Sequence, residues 1–218
     1  MKLLLCGVII AILIKTIYDR SLDTSIAEDC VLAGVILIFF WLIVLRMSNF
    51  VSRGIAYLNQ EERILIATIQ QLRLARMHTI GRVKRIEDAK WDVLPGEFNN
   101  NIRWHVGHIY VTMETLIQQA LPSYEVVHPE WIPFFIDGTS PGDWGDDAPT
   151  SDVLLAAIRD QLNRIPNFLE GKMVGDAAEP LVIGDDIMTI GNIDDIVQFI
   201  AWHEGVHAGV IDALGKVS

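Results

Sequence analysis

Near the C-terminus, Ile196, Ile200, His203, His207, Ile211 and Leu214 follow one another at spacings of 4, 3, 4, 4 and 3. Residues spaced in this way share one face of an α-helix. The stripe is otherwise apolar, so a helix that buries it carries two imidazoles inward. Burying one imidazole requires a hydrogen-bond partner. Burying two, one turn apart, is costly unless something holds both, and a divalent cation does so with neutral imidazoles. The competing reading is two core histidines, each with its own partner. An i, i+4 pair on a core stripe favours the metal, and a metal needs a third ligand.

The stretch "WHVGHI" offers two candidates, His105 and His108. His105 shares a helical stripe with Ile102, Ile109 and Leu116. His108 shares one with Trp104, Val111 and Thr115. Both stripes are plausible, so periodicity leaves the choice open. His78, among basic residues, and His128, before Pro129, read as surface or outer-sphere groups.

Glu204 follows His203 and completes an H-E-x-x-H string, the mark of zinc proteases. That reading ranks low. A zincin needs a third ligand downstream, and only 11 residues follow His207, none of them His or Glu. The extended signature needs a histidine where Ala213 stands. Glu204 points about 100° away from His203 on a helix, so it is not expected to be a ligand. It is either an outer partner of the site or a charge on the helix surface, and the surface charge is the favoured reading. Trp104 and Trp202 each precede a histidine and read as packing residues rather than as platforms for a substrate, although with His105 they are candidates to line a pocket.

Around these motifs the chain reads as four helices joined by long connections. The amphipathic stretch from about Gln60 to Lys84 is the first. Asn99, Asn100 or Asn101 caps a second that runs to about Ala120, with Pro122 just beyond its end. Five prolines and three glycines between Pro122 and Thr150 make that segment an ordered loop or partial lid over a substrate. Ser151 caps a third helix that Pro166 kinks or ends. "LVIGDDIMTI" reads as two short strands around Gly184-Asp185. Asn192 caps the fourth helix, from about Ile193 to Leu214, closed by Gly215. The expected class is all-α, a four-helix bundle, which builds metal sites from residues facing inward on neighbouring helices.

Two uninterrupted apolar runs, Leu3 to Ile14 and Cys30 to Leu45, precede this part. Each is short of the roughly 20 residues that span a bilayer; the first comes close only if Thr16, Ile17 and Tyr18 are counted and Lys15 snorkels to the interface, and the second could add Met47. They read as one or two short transmembrane helices forming a membrane hairpin; a signal peptide or signal anchor is the alternative for the first, with Ser25-Ile26-Ala27 as a distant cleavage triplet. The expected division is 1–46, a hairpin or an over-extended start, and 47–218, the folded domain. Arg46, Arg53 and Arg63 follow the second run, whereas four acidic residues lie between the runs, so the domain is expected to face the cytoplasm. With translation starting at Met47, the protein would be cytoplasmic. The first 46 residues carry four basic and four acidic side chains, so the net charge of −11 belongs to the remainder. Nucleic acid is a poor partner for so acidic a domain. Both cysteines, Cys6 and Cys30, lie in the apolar runs, so residues 47–218 hold no thiolate nucleophile or ligand.

"NNIRWHVGHIYVTMETL", "FIDGTSPGDW", "PTSDVLLAAIRDQLNRI" and "HEGVHAGVIDAL" together resemble the DinB/YfiT-like family of four-helix metal-binding proteins. The resemblance covers about Gly54 to Lys216 and leaves out the apolar runs. It implies that the ligands are the histidine of the Gly-His pair and both histidines of the last helix: His108, His203 and His207. His105 then becomes a neighbour. The family often has Gly-Gln after the last histidine, whereas here Gly209 is followed by Val210. The resemblance implies a divalent metal, zinc or nickel. Family members include S-transferases that use bacillithiol or mycothiol, an isomerase, and proteins without a known reaction, often dimeric. The expected protein is therefore a bacterial, membrane-held transferase or hydrolase. It would act on a small molecule with a thiol or water activated at a three-histidine metal site, the thiol supplied from outside. The alternatives are a non-catalytic, stress-related metal-binding module and, less favoured, the zinc protease.

Overall fold

The computed structural model describes residues 15–16, 24–96, 98–184 and 187–218. The first apolar run, with Cys6, lies outside the described residues. The chain divides into two units at Glu62/Arg63.

Helix α1, Thr24–Val83, contributes to both units. It starts far before Gln60 because no proline stands before Pro95 and little else in the intervening sequence opposes a helix. In the first unit it carries the second apolar run, with Phe39, Phe40, Met47 and Phe50 all exposed. Among the described residues, this is the one helix long and apolar enough to cross a membrane by length and composition.

The second unit is built on α1 from Arg63, α2 (Ile102–Ala120), α3 (Ser151–Leu169) and α4 (Ile193–Val217). The caps are those that the local chemistry favours. The Asn101 side chain accepts from the Trp104 amide at 2.9 Å, and that of Asn192 accepts from the Asp195 amide at 3.2 Å. Three local expectations need correction. Thr150, not Ser151, precedes α3, and the Ser151 hydroxyl bonds the Asp88 carboxylate instead. Pro166 does not end α3, which runs on to Leu169, because a proline in the last turn forfeits little of the remaining ladder. Gly215 does not close α4, which continues to Val217; a Cβ there would lie 2.8 Å from the Ile86 side chain, so Gly215 permits a close approach.

Strands β1 (Asp176–Ile183) and β2 (Met188–Asn192) pair antiparallel, with Leu181 opposite Ile190 and Ile183 opposite Met188. Gly184, at φ 56°, starts the turn, as a residue without Cβ does at little cost. The segment between α2 and α3 is more regular than a loop. It forms short helical turns at Pro129–Trp131, Ile132–Phe135 and Pro141–Asp143, which sink Trp131, Phe135 and Trp144 into the core.

The core has an apolar cluster at each end. One gathers Val83, Trp104, Tyr110, Phe135, Ile158 and Ile211. The other gathers Leu72, Met113, Ile117, Ile165, Ile196 and Ile200. Between them each helix inserts a buried polar residue: Arg76 from α1, Glu114 from α2, Gln161 from α3 and Glu204 from α4. Arg76 bonds Glu204 at 2.8 Å and also Gln161, and Gln161 bonds the Tyr110 carbonyl at 3.1 Å and Glu114 at 2.5 Å. Glu114 further accepts from the Tyr124 hydroxyl, the Val127 amide and Arg164. Every helix of the unit is thus tied to its neighbours by charge-assisted bonds out of water.

Candidate metal centre

The histidines of α2 and α4 converge. The Nε2 of His203 lies 3.2 Å from that of His108 and 3.1 Å from that of His207. The donor atoms of the three residues all fall within 4.8 Å of one another. Two nitrogens held by one tetrahedral zinc, each at about 2.0–2.1 Å, stand roughly 3.3–3.4 Å apart. The observed spacing suits a shared cation.

Proton bookkeeping points the same way. The Nδ1 of His108 lies 2.7 Å from the carbonyl oxygen of Phe135. A carbonyl only accepts, so the single proton of neutral His108 sits on Nδ1 and its Nε2 presents a bare lone pair. The Nε2 of His203 faces two neighbouring Nε2 atoms and carries at most one proton to share between them. A cation satisfies all three lone pairs at once. Burial, reinforced by the neighbouring imidazoles, pushes His207 down to about 3 and His203 to about 4, with the Asp137 carboxylate partly opposing the shift in His203. Burial also lowers His108, against the pull of the Phe135 carbonyl and Asp137. All three are therefore neutral near pH 7, the form that binds metal.

His105 lies outside the triad but touches it. Its Nδ1 is 2.9 Å from the Nδ1 of His207. Trp104 stacks on His108, with centroids 4.5 Å apart and planes at 11°, and its indole N–H donates to the Thr139 hydroxyl at 2.9 Å. Thr139 and Phe135 both belong to the segment between α2 and α3, which thereby covers the α2 side of the histidines. Val210 packs on the apolar cluster around Trp104.

Glu204 is not the surface charge that its sequence position favours. It is 1 % exposed and paired with Arg76 in the polar layer. The 100° turn from His203 carries it toward the core rather than toward solvent, where the Arg76 guanidinium pairs with it. Trp202 departs from its expected packing role. It is 63 % exposed, touches Phe199 with ring centroids 5.5 Å apart, and borders a groove of about 720 Å³ with Ile64, Leu74, His78 and Gln198. Trp104 and His105 do lie beside the triad. His78 and His128 are outer groups, bonded to Arg82 and Glu130.

Sequence reasoning missed the Phe135 carbonyl and the residue that admits it. A Cβ on Gly107 would lie 2.3 Å from the Phe135 ring, so α2 has a glycine where the covering segment comes closest. The available signal was a glycine on a helix directly before a candidate ligand.

Residues 71–211 match the sequence model of the DinB superfamily, a span that includes all three histidines. No curated protein matches the chain. The family match spans well over half of the sequence and the metal-ligating geometry lies within it: the chain belongs to the DinB superfamily.

Proposed function

We propose that this chain is a metal-dependent enzyme, held at a membrane by the apolar part of α1, that activates a low-molecular-weight thiol or a water for transfer to, or hydrolysis of, a small molecule. The observation that carries this is the convergence of three neutral imidazole Nε2 atoms on one point. Imidazole ligands suit zinc or nickel. A divalent metal held by three histidines supplies Lewis acidity, which lowers the pKa of a thiol or water at its open position.

The chain's own residues supply the frame. Phe135 holds His108 in one tautomer through its carbonyl, and Trp104 fixes the plane of that ring. The Phe135 carbonyl and the Thr139 hydroxyl contact His108 and Trp104 on the α2 side, while half-buried His203 and His207 leave the other side approachable. The Asp137 carboxylate acts on His108 and His203 from nearby and partly offsets the effect of their burial. Residues 47–218 hold no cysteine, so a thiol nucleophile for this unit comes from solution, as a bacillithiol-like cofactor would.

The test is metal content and turnover of the full chain in detergent, wild type against His108→Ala. The expected result is about one divalent ion per wild-type chain, lost in the variant, and metal-dependent turnover that rises with added thiol. Unchanged metal content in His108→Ala overturns the ligand set. Bound metal with no turnover, with or without thiol, leaves a metal-binding module and overturns the enzyme.

A further inference from the structure

We propose that His105 is a positioning residue for the metal centre: its Nδ1 accepts a hydrogen bond from the Nδ1–H of His207 and locks His207 in the tautomer that turns a bare Nε2 toward His203. The inference rests on the metal-site reading above and adds to it a residue outside the ligand set.

The two Nδ1 atoms stand 2.9 Å apart. A hydrogen bond between two imidazole nitrogens needs one that carries a proton and one that does not. The other nitrogen of His207 lies 3.1 Å from His203 within the triad. For that Nε2 to offer a lone pair, the single proton of neutral His207 must sit on Nδ1. His207 therefore donates and His105 accepts, which places the proton of His105 on its own Nε2. The arrangement parallels that of His108, whose Nδ1 proton goes to a carbonyl. In His207 an imidazole performs the task that a backbone oxygen performs in His108.

The setting supports the assignment. His105 is 8 % exposed, so bulk water does not stand in for it as the acceptor. Trp104 meets its ring edge-on, with centroids 5.2 Å apart and planes at 89°, and so restricts its rotation. Partners that orient a ligating histidine in this way change metal affinity by roughly 10–100-fold when removed.

Two substitutions in the full chain separate positioning from bulk. Asparagine places a carbonyl oxygen at the δ position that Nδ1 occupies, so His105→Asn keeps an acceptor. His105→Leu fills the space without one. Zinc affinity, read by competition with a chromophoric chelator, is expected to fall about 10–100-fold in His105→Leu and to stay near wild type in His105→Asn. In metal-free wild-type chain, the ¹⁵N shifts of His207 are expected to show the proton on Nδ1. Wild-type affinity in His105→Leu overturns the proposal. Equal loss in both variants also overturns it, since restoring the acceptor would then have no effect. A proton on Nε2 of His207 overturns it even if no metal binds. Absence of zinc binding by the wild type sinks the functional reading alone, because the tautomer of His207 is read without metal.

Discussion

His203 and His207 show what burial does to a titratable side chain. Their folded values, about 4 and about 3, lie below the ordinary 6.5 because desolvation and neighbouring imidazoles disfavour the charged form. The unfolded chain then takes up protons first as the pH falls below about 6.5. The stability gained from keeping these rings neutral is complete above that value and is lost progressively as the pH falls toward the folded values. The urea midpoint of metal-free chain is therefore expected to drop between about pH 6.5 and 4, and to drop less in His207→Gln. A midpoint independent of pH over that window would contradict the burial of the triad. Protons compete with a metal for the same nitrogens, so acidification is also expected to release a bound divalent ion. Spacing alone put both histidines on the core stripe of α4. It did not choose between His105 and His108, because both stripes of α2 are buried, and only the facing helix distinguishes a ligand from its neighbour.

At the scale of elements, α2 and the segment after it act together. Gly107 weakens a helix interior by about 0.5–1 kcal/mol relative to alanine, yet it admits Phe135, whose ring would lie 2.3 Å from a Cβ at that position. Gly107→Ala is expected to push Phe135 away and break its carbonyl bond to His108. Metal affinity should fall about 10–100-fold, as when an orienting partner of a ligand is removed. Thermal stability should fall by the roughly 1–3 kcal/mol typical of an overpacked core. Isothermal titration and melting of the same preparation read both effects, and unchanged affinity would show that the covering segment does not orient His108. An asparagine cap on α2, at one of Asn99 to Asn101, and the cap Asn192 on α4 were legible in the sequence because a cap is a local bond between a side chain and an amide three residues on. The covering turns were not, because Trp131, Phe135 and Trp144 adopt them by burying their rings against distant helices.

At the scale of the whole molecule, the second unit is two apolar clusters separated by Arg76, Glu114, Gln161 and Glu204. Removing one member of a buried ion pair leaves the other charge uncompensated, at a cost of about 3–5 kcal/mol. Glu204→Gln is expected to lower stability by that order in urea unfolding, through Arg76, while the variant that remains folded still binds metal. A protease using Glu204 as its base would show the opposite pattern, with intact stability and lost turnover. The same layer fixes how the four helices register, since sliding any one by a turn would strand a charge or, for α3, the Gln161 amide among aliphatic side chains.

The sequence by itself determined the helical periodicity, the start and end of α2, the cap of α4, the apolar runs, and the face of α4 that His203 and His207 share. These follow from spacing and from bonds between near neighbours in the chain. Tertiary structure alone decided that Glu204 faces Arg76, 128 residues away, and that His105 leans on His207, 102 residues away. A residue's periodicity states which way it points, but its partner is set by how another helix packs opposite it, and that is a property of the assembled core.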